Sequence, residues 1–506
     1  FGDVSGLPPS LIFAGKDEVL LDDSRRMHNK LVSSGCTSEL VEAEGMWHAY
    51  VLYCIKERAC DLDRINAFLN RFLSHERKLR WMRLDNAAKI YPAAKRRKWN
   101  NFFRLSATLC DEVDKTVLRN AMDVTMRRFP SIAVRLCRGA FWYYLEELSS
   151  APEITDEKSW PLAHTPFESI NECALRVIVY KNRIAVEFYH ALTDGTGGMV
   201  FLKSLLAEYI EQKYGVEIPN ECGVLDRLTQ PQEEELEDSF SKNAGSVSVS
   251  RNASTAFKIH YTPERDDFRH LTTFILDSNA ALAAAKSCGV SLTVYLTSAM
   301  LLALQRIQDE QTPDKRRQKP IRVVVPVNLR RLFPSRTLRN FVHVIMPEID
   351  PRMGDYEFSE ILTSVKHQLG LLVTKKNLCA MFTPNVNAER SPLLRVMPLF
   401  LKNIAMKLVY DTVGERTNCL NLSNLGDIKV PDAMRRYVTR FDFILGVQAT
   451  KPNNCGVLSY NGKLYMNFIR NTVEPVLEFQ FYQVLRELGL HVKVESNGAG
   501  NISDSN

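Results

Sequence analysis

The sequence lacks the usual signatures of a metal-bound or disulfide-stabilised protein. Its 11 cysteines are scattered along 506 residues without a Cys-x-x-Cys pair, and no histidines and cysteines cluster at the spacing of metal ligands. This distribution predicts free thiols in a reducing compartment and no structural zinc, so we expect a cytoplasmic protein. The sequence also lacks an apolar run of membrane-spanning length, and no transmembrane segment is predicted.

An excess of charge of one sign is missing as well. The sequence has 65 basic and 59 acidic residues, and the net charge of +6 gives no reason to expect nucleic acid as a partner. The longest basic run, residues 95–98, is expected to be a solvated turn. The composition, 45% hydrophobic and 25% charged, is typical of globular proteins, and the length predicts two or more domains.

The most informative stretch is residues 184–198, whose pattern predicts a strand, a turn and a helix. Apolar side chains alternate from Ile184 and predict a strand whose buried face includes His190 at its end. A glycine-rich turn follows, and apolar residues then recur at helical spacing. With Asp194 four residues on, His190 can be a base held by its neighbour, because imidazole titrates near neutral pH. The alternative is a core histidine satisfied by a backbone carbonyl.

The spacing His190-Ala-Leu-Thr-Asp194-Gly195 resembles the HxxxDG signature of the coenzyme A-dependent acyltransferases. This superfamily includes alcohol acetyltransferases, plant acyltransferases of the BAHD type and peptide-synthetase condensation domains. Three further segments, residues 326–330, 339–341 and 422–426, resemble family motifs and occur in the family's order. The resemblance covers roughly residues 84–490.

The resemblance implies an α/β protein with two mixed α/β lobes of the chloramphenicol acetyltransferase-like fold, packed side by side around a channel. We expect residues 81–215 to form the N-terminal lobe and residues 256–495 the C-terminal lobe. Between them, residues 216–255 are polar and predict a solvated crossover linker, with an acidic interaction site as the alternative. Residues 496–506 are expected to be a disordered tail.

The resemblance further implies that acyl-coenzyme A is a co-substrate and that no cofactor is bound permanently. His190 would remove the proton from a hydroxyl or amine acceptor as the acceptor attacks the thioester. Asp194 would pair with a basic residue, and Gly195 would leave room at the channel wall. The turn at Ser423 and Asn424 would either donate a hydrogen bond to the developing oxyanion or only shape the wall.

Two details of the sequence bear on the branch and on the partner of Asp194. Tyr189 stands where condensation domains and wax-ester synthases usually carry a first of two adjacent histidines, and the plant-type Asp-Phe-Gly-Trp-Gly turn is absent. The resemblance is therefore to the alcohol acetyltransferase-like branch, which uses free acyl-coenzyme A and a small alcohol or amine. By residue type alone, Arg330, Arg331 and Arg339 are the candidate partners of Asp194.

Residues 1–80 have a different character. Their periodicity predicts strand, helix, strand and helix, an α/β pattern. The segment resembles the C-terminal part of an α/β-hydrolase of the hormone-sensitive-lipase-like esterase group, and by that match Asp17 would be the triad acid and His48 the triad base. No Gly-x-Ser-x-Gly elbow occurs in the 506 residues, so the triad has no nucleophile and we expect a truncated hydrolase from a longer fusion.

Three functional hypotheses follow from these patterns. The first is an alcohol acetyltransferase-like O-acyltransferase, preceded by a truncated hydrolase that does not cleave esters. The second is an esterase, which needs a nucleophile supplied by a longer form of the protein. The third is a condensation-like module that accepts its acyl group from a carrier protein, or a non-catalytic binding fold that retains its histidine.

Overall fold

The computed structural model of the chain describes residues 2–53, 55–56, 58–72, 79–94, 101–164, 166–249, 254–265, 267–448 and 450–497. The basic run at residues 95–98 and residues 498–506 of the expected tail lie outside the described residues. The chain forms two compact units, Phe1–Leu79 and Arg80–Asn506.

The smaller unit contains a short parallel sheet. β1 (Ser10–Gly15) pairs with β2 (Ser38–Ala43), and α1 (Leu21–Ser33) connects the two strands. α2 (Ala59–Phe72) follows. This is the order of elements that the periodicity predicts, because two parallel strands need a crossover helix between them.

The N-terminal lobe of the larger unit contains two sheets and the helices that cover them. Its elements are β3 (Trp81–Arg83), α3 (Ile90–Ala93), β4 (Phe102–Leu109), α4 (Lys115–Arg128), β5 (Val134–Arg138), β6 (Tyr143–Glu147), β7 (Ile154–Asp156), α5 (Phe167–Glu172), β8 (Leu175–Tyr180), β9 (Arg183–Tyr189) and α6 (Gly195–Tyr214). Strands β4, β9, β8 and β7 are neighbours in that order, and β3, β6 and β5 form the smaller sheet.

β9 differs from its prediction in two respects. It ends at Tyr189, so His190 begins the turn instead of ending the strand. Both faces of β9 are buried, and Glu187 lies in an internal ion pair with Arg104 at 3.3 Å. An alternation of apolar and polar residues predicts a strand with one exposed face. The same alternation arises when the polar residue is buried and its charge is paired inside the protein, as it is here.

The crossover packs more closely than its polar composition indicates. It contains α7 (Glu233–Leu236) and α8 (Ser239–Asn243). Glu235 is buried and accepts two hydrogen bonds from the Arg128 guanidinium, at 2.6 and 2.7 Å. Phe240 packs edge-on against Phe341, with ring centroids 5.1 Å apart. The segment around α7 and α8 is therefore partly internal, and the expectation of a solvated linker is wrong for this segment.

The C-terminal lobe surrounds an eight-stranded sheet. Its elements are β10 (His270–Asp277), α9 (Ser278–Ser287), α10 (Leu292–Gln311), β11 (Ile321–Asn328), β12 (Val342–Ile345), β13 (Glu348–Ile349), α11 (Phe358–Leu372), α12 (Lys375–Arg390), α13 (Pro392–Val396), α14 (Leu399–Val409), β14 (Leu420–Asp427), α15 (Asp432–Arg435), β15 (Val438–Ile444), β16 (Asn453–Tyr460), β17 (Lys463–Arg470), α16 (Val476–Glu487) and β18 (Lys493–Ser496). The sheet order is β12, β11, β14, β16, β17, β10, β18, with β13 also paired to β11.

Two parts of this sheet can be compared with what the sequence predicts. β16 and β17 form the hairpin that Asn461-Gly462 predicts, and both turn residues have positive φ, 48° and 75°. Ser496, the first residue of the expected tail, instead ends β18 and pairs with Thr272 of β10. The strand forms because β10 has an open edge there.

α10 is the central helix of the C-terminal lobe. The Ser291 hydroxyl caps it by accepting from the Val294 N–H at 3.3 Å, and residues 294–304 are buried. Among the described helices, none alone is both long and apolar enough to cross a membrane; α9 and α10 reach that length and composition only together, across a bend of 84°.

β15 links the two lobes. It lies between β14 and β16 of the C-terminal sheet in the chain, but it pairs antiparallel with β4 of the N-terminal sheet, with Phe443 opposite Leu105. The hydrophobic core of the N-terminal lobe therefore includes side chains from β15, while α10 and the C-terminal sheet enclose a second core. This exchange holds the two lobes together beside the end of β9, where His190 lies.

Candidate active site

His190 is held by aromatic rings and by its own backbone. Its N–H donates to the Asn101 carbonyl at 2.7 Å. The imidazole stacks on Tyr91, with centroids 4.7 Å apart and planes 18° apart, and meets the edge of Phe103 at 5.0 Å. Burial lowers the pKa of His190 below its ordinary value of 6.5. The side chain is therefore neutral at physiological pH, which is the state that a general base needs.

Asn340 orients the imidazole. Its Oδ1 lies 3.2 Å from His190 Nδ1, while its Nδ2 donates to the His190 carbonyl at 3.0 Å and to Asp85 Oδ2 at 3.2 Å. These two acceptors fix the amide orientation, so Oδ1 can only accept from Nδ1–H. The proton is thereby placed on Nδ1, and Nε2 carries the free lone pair.

Asp85 supports Asn340 from behind. It is fully buried and accepts from the Ala88 N–H at 2.7 Å, and Arg339 Nε lies 3.7 Å from its carboxylate. Burial raises the pKa of Asp85 to about 6, although the nearby Arg339 charge opposes this shift. The sequence patterns gave no role to Asp85 or Asn340. The available signals were the family-like segment at residues 339–341 and the carboxylate that directly follows Leu84.

Asp194 faces the protein interior. Its Oδ1 caps α6 by accepting from the N–H groups of Thr196 and Gly197, both at 3.0 Å. Its Oδ2 accepts from Arg330 Nη1 at 2.8 Å and from the Phe341 N–H at 2.9 Å. Of the three candidate arginines, Arg330 is thus the partner. The bonds join the turn after His190 to the segment that carries Asn340.

Glycine is required where α6 begins. A Cβ on Gly197 would lie 2.1 Å from the Leu338 carbonyl oxygen, and a Cβ on Gly195 would lie 2.8 Å from Leu425 Cδ2. Leu338 and Leu425 both belong to the C-terminal lobe, so its backbone and side chains approach the turn closely. The two glycines allow this approach because they have no side chain.

Ser423 and Asn424 lie on β14, and both line the same cavity as the turn. Asn424 Nδ2 donates to Thr293 Oγ1 at 3.2 Å, and Asn424 Oδ1 accepts from the Gly426 N–H at 2.8 Å. The pairing of β14 with β16 is irregular just after Asn424. These bonds within the protein favour a wall-shaping role for Asn424 over a role in binding the oxyanion.

One large cavity connects these residues. Its volume is about 1290 Å³, and its walls come from both lobes of the larger unit. All five residues assigned to the site line it: His190, Asp194, Gly195, Ser423 and Asn424. Arg331, which does not pair with Asp194, also lines it. The volume exceeds the usual range for small-molecule sites, so there is room for two substrates at once.

The hydrolase-like residues differ from their expected pairing. His48 Nδ1 lies 3.1 Å from Glu18 Oε2, so the carboxylate beside the histidine is Glu18 and not Asp17. The Asp17 N–H is bonded to the Met46 carbonyl, which fixes the backbone there and presents the next side chain to His48. The His48 side chain is 68% exposed. Among the described residues, no group of three or more His, Cys, Asp or Glu could hold a metal ion.

The two units are similar to different known proteins. Residues 1–52 match a family model described as the alpha/beta hydrolase fold. No curated protein matches the chain by sequence. The epimerization domain from the third module of tyrocidine synthetase B is similar in structure, with a TM-score of 0.51 and 13% identity over 81% of this chain and 96% of that chain.

The first condensation domain of the calcium-dependent antibiotic synthetase gives the same TM-score, 0.51, with 12% identity over 81% of this chain and 95% of that chain. The larger unit has the two-lobed condensation-domain fold. The predicted fold class is thereby confirmed. The trichothecene 15-O-acetyltransferase TRI3 from Fusarium sporotrichioides is also similar, with 12% identity over 81% of this chain and 94% of that chain and a TM-score of 0.49. At these identities the similarity concerns the fold alone.

Proposed function

We propose that the larger unit transfers an acyl group from acyl-coenzyme A to a hydroxyl or amine acceptor, as an alcohol O-acetyltransferase-like enzyme. The observation that carries the proposal is the bond between His190 Nδ1 and Asn340 Oδ1 at the wall of the inter-lobe cavity. A neutral histidine with its Nδ1 proton engaged keeps a lone pair at Nε2, which suits it to accept a proton from a substrate at this wall.

The chemical step then balances without a covalent enzyme intermediate. Nε2 of His190 takes the acceptor proton as the acceptor oxygen or nitrogen attacks the thioester carbonyl carbon. The C–S bond breaks, and the imidazolium returns the proton to the leaving thiolate. Asn340 Oδ1 stabilises the transient positive charge on the ring, with the Asp85 carboxylate behind it. General base catalysis of this kind contributes about 10² to 10⁴ in rate.

The remaining site residues would position this chemistry. Asp194 and Arg330 join the turn that carries His190 to the C-terminal lobe, and they do not face the reacting atoms. Gly195 leaves room beside Leu425, and Asn424 would shape the wall formed by β14. Tight positioning matters because a misplacement of about 1 Å can cost about 10²-fold in rate.

The test is acceptor-dependent release of free thiol from acetyl-coenzyme A by the purified full chain, with a panel of alcohols and amines. We expect release with the wild-type protein and its loss in His190→Ala. His260→Ala is the matched control, because His260 is exposed and does not line the cavity. Equal release in both variants would remove His190 from the mechanism, and no release from the wild type with any acyl length would refute the proposal.

A carrier-dependent condensation reaction is the second candidate, and the similarity in fold to peptide-synthetase domains supports it. Tyr189, buried at 1% exposure where those domains usually carry the first of two adjacent histidines, favours free acyl-coenzyme A instead. The two alternatives differ in one assay. Turnover of an acylated carrier protein without turnover of acyl-coenzyme A would favour condensation.

The hypothesis that the smaller unit hydrolyses esters is supported by the family match at residues 1–52 and by the His48–Glu18 pair. The 506 residues contain no Gly-x-Ser-x-Gly elbow, so we expect no hydrolysis of p-nitrophenyl acetate by this chain beyond the uncatalysed rate. Hydrolysis that His48→Ala removes would contradict this expectation.

A further inference from the structure

A buried lysine on the wall of the inter-lobe cavity has no role in the chemistry above. Lys451 is 4% exposed and lines the cavity, beyond the end of β15. Its ammonium forms no hydrogen bond or ion pair with any residue in the described parts of the chain. A buried charge without a partner is costly, so such groups are rare unless a ligand supplies the missing acceptor.

Among the described residues, Lys451 shares its surroundings with a second lysine, a carboxylate and a thiol. Lys258 lies close by, and its Nζ donates to the carbonyls of Glu415 and Asn418 at 2.7 and 2.6 Å. The Glu415 carboxylate is the acidic group that acts on Lys451, together with the Cys419 thiol, while Lys258 repels it. Within the described parts of the chain, the Glu415 carboxylate therefore acts on Lys451 from a place that Lys258 also occupies with its positive charge.

A second cation on the same wall makes the contrast clear. Arg322 also lines the cavity, but it is ion-paired with Glu348 and donates to the carbonyls of Ser254 and Thr417. Its donors are used within the protein, whereas those of Lys451 remain available to whatever occupies the cavity.

We propose that Lys451 forms an anion subsite of the acyl-transfer cavity and binds a carboxylate or phosphate group of a substrate held there. The inference rests on the proposed function for the identity of the cavity's ligands, but not for the existence of the subsite. Two sources share this chemistry: an acceptor that carries an acidic group, or the phosphates of coenzyme A. A neutral small alcohol alone would leave the Lys451 ammonium unmatched.

The test measures binding, not turnover, by calorimetry on the full chain with His190→Ala. Two pairs of probes differ in charge: 3-hydroxybutyrate against its methyl ester, and coenzyme A against pantetheine. We expect tighter binding of the anion in one pair and a loss of about 30-fold or more in that binding on Lys451→Met. Lys463→Met is the control, because Lys463 is exposed at the start of β17.

The outcomes separate the two sources and the two proposals. A Lys451-dependent preference for the hydroxy acid assigns an acidic acceptor, and one for coenzyme A assigns the donor's phosphates. No preference in either pair, or a preference that survives in Lys451→Met, would overturn the subsite. If Lys451→Met does not fold, the wild-type titration decides, because the anion preference must weaken from pH 6 to pH 9 as the ammonium loses its proton. Because binding is read without turnover, failure of acyl transfer leaves this result interpretable.

Discussion

Replacing Lys451 by Met should change the pH dependence of stability in a calculable way. The pKa of Lys451 is lowered from 10.5 to about 7. Burial is the main cause and the Lys258 charge acts in the same direction, while Glu415 and Cys419 oppose the shift. Between pH 7 and pH 10.5 the unfolded chain binds a proton at this lysine that the folded chain does not. Stability of the wild type therefore rises with pH in that window.

The magnitude follows from the same two values. Each pH unit inside the window contributes about 1.4 kcal/mol, so from pH 6 to pH 9 the wild type should gain about 3 kcal/mol relative to Lys451→Met. At pH 6 the variant should be the more stable protein, because a buried ammonium without a partner has been replaced by an apolar side chain of similar length.

The assay is urea denaturation of the wild type, Lys451→Met and the exposed-site control Lys463→Met, followed by circular dichroism at pH 6, 7, 8 and 9. Differences between the wild type and Lys451→Met are compared, since other titrating groups cancel in them. A difference that stays constant across this range would refute the reasoning. It would mean that Lys451 keeps an ordinary pKa through contact with water or a bound anion.

Three further predictions concern the cavity wall. If His190 is the base that we propose, Asn340→Ala should lower kcat by about 10²-fold with little change in KM, and it should shift the pH–rate profile, because the imidazole loses the acceptor that fixes its tautomer. An unchanged profile would contradict this. Arg330→Gln should destabilise the protein by about 3–5 kcal/mol in thermal or urea unfolding, because it leaves a buried aspartate unpaired, whereas exposed Arg331→Gln should change stability little. Gly197→Ala should reduce soluble yield and melting temperature, because its methyl group would lie 2.1 Å from a backbone oxygen, whereas Gly370→Ala, with open space around its Cβ, should be neutral or slightly stabilising; similar effects of the two glycine changes would refute the close approach.

Local patterns predicted the elements around the site well. The turn and helix after β9 and the Asn461-Gly462 hairpin depend on residues within a few positions of one another. Periodicity and turn chemistry capture such short-range preferences directly. The condensation-domain fold was predicted for a different reason, since it rested on the order of several family-like motifs.

Long-range partners could not be predicted in the same way. His190 and Asn340 are 150 residues apart, and Asn340 and Asp85 are 255 apart. The choice of Arg330 over two other arginines also depends on how the C-terminal lobe meets the turn. A single sequence contains no signal that tells which distant residues will be in contact. For the same reason, the sequence does not predict that β15 pairs with the sheet of the other lobe.

The smaller unit illustrates the limit at the scale of one residue. The resemblance placed the triad acid at Asp17, and the structure places Glu18 against His48. Both residues lie in the loop after β1, and the Asp17 backbone bond to Met46 decides which side chain turns towards the histidine. Sequence spacing can locate a loop of this kind, but side-chain direction within it depends on the surrounding backbone.

The two aspartates near His190 divide two tasks that a catalytic triad assigns to a single acid. Asp194, the aspartate of the motif, caps α6 and holds Arg330 and the Phe341 N–H, so its bonds serve the architecture of the turn. Orientation of the imidazole passes instead through Asn340 to Asp85. Because an amide stands between the ring and the carboxylate, the imidazolium is stabilised without a direct ion pair, and His190 keeps a lowered pKa. A carboxylate bonded directly to Nδ1 would raise that pKa and reduce the neutral fraction at lower pH, so the interposed amide suits a base that must be unprotonated before the acceptor arrives.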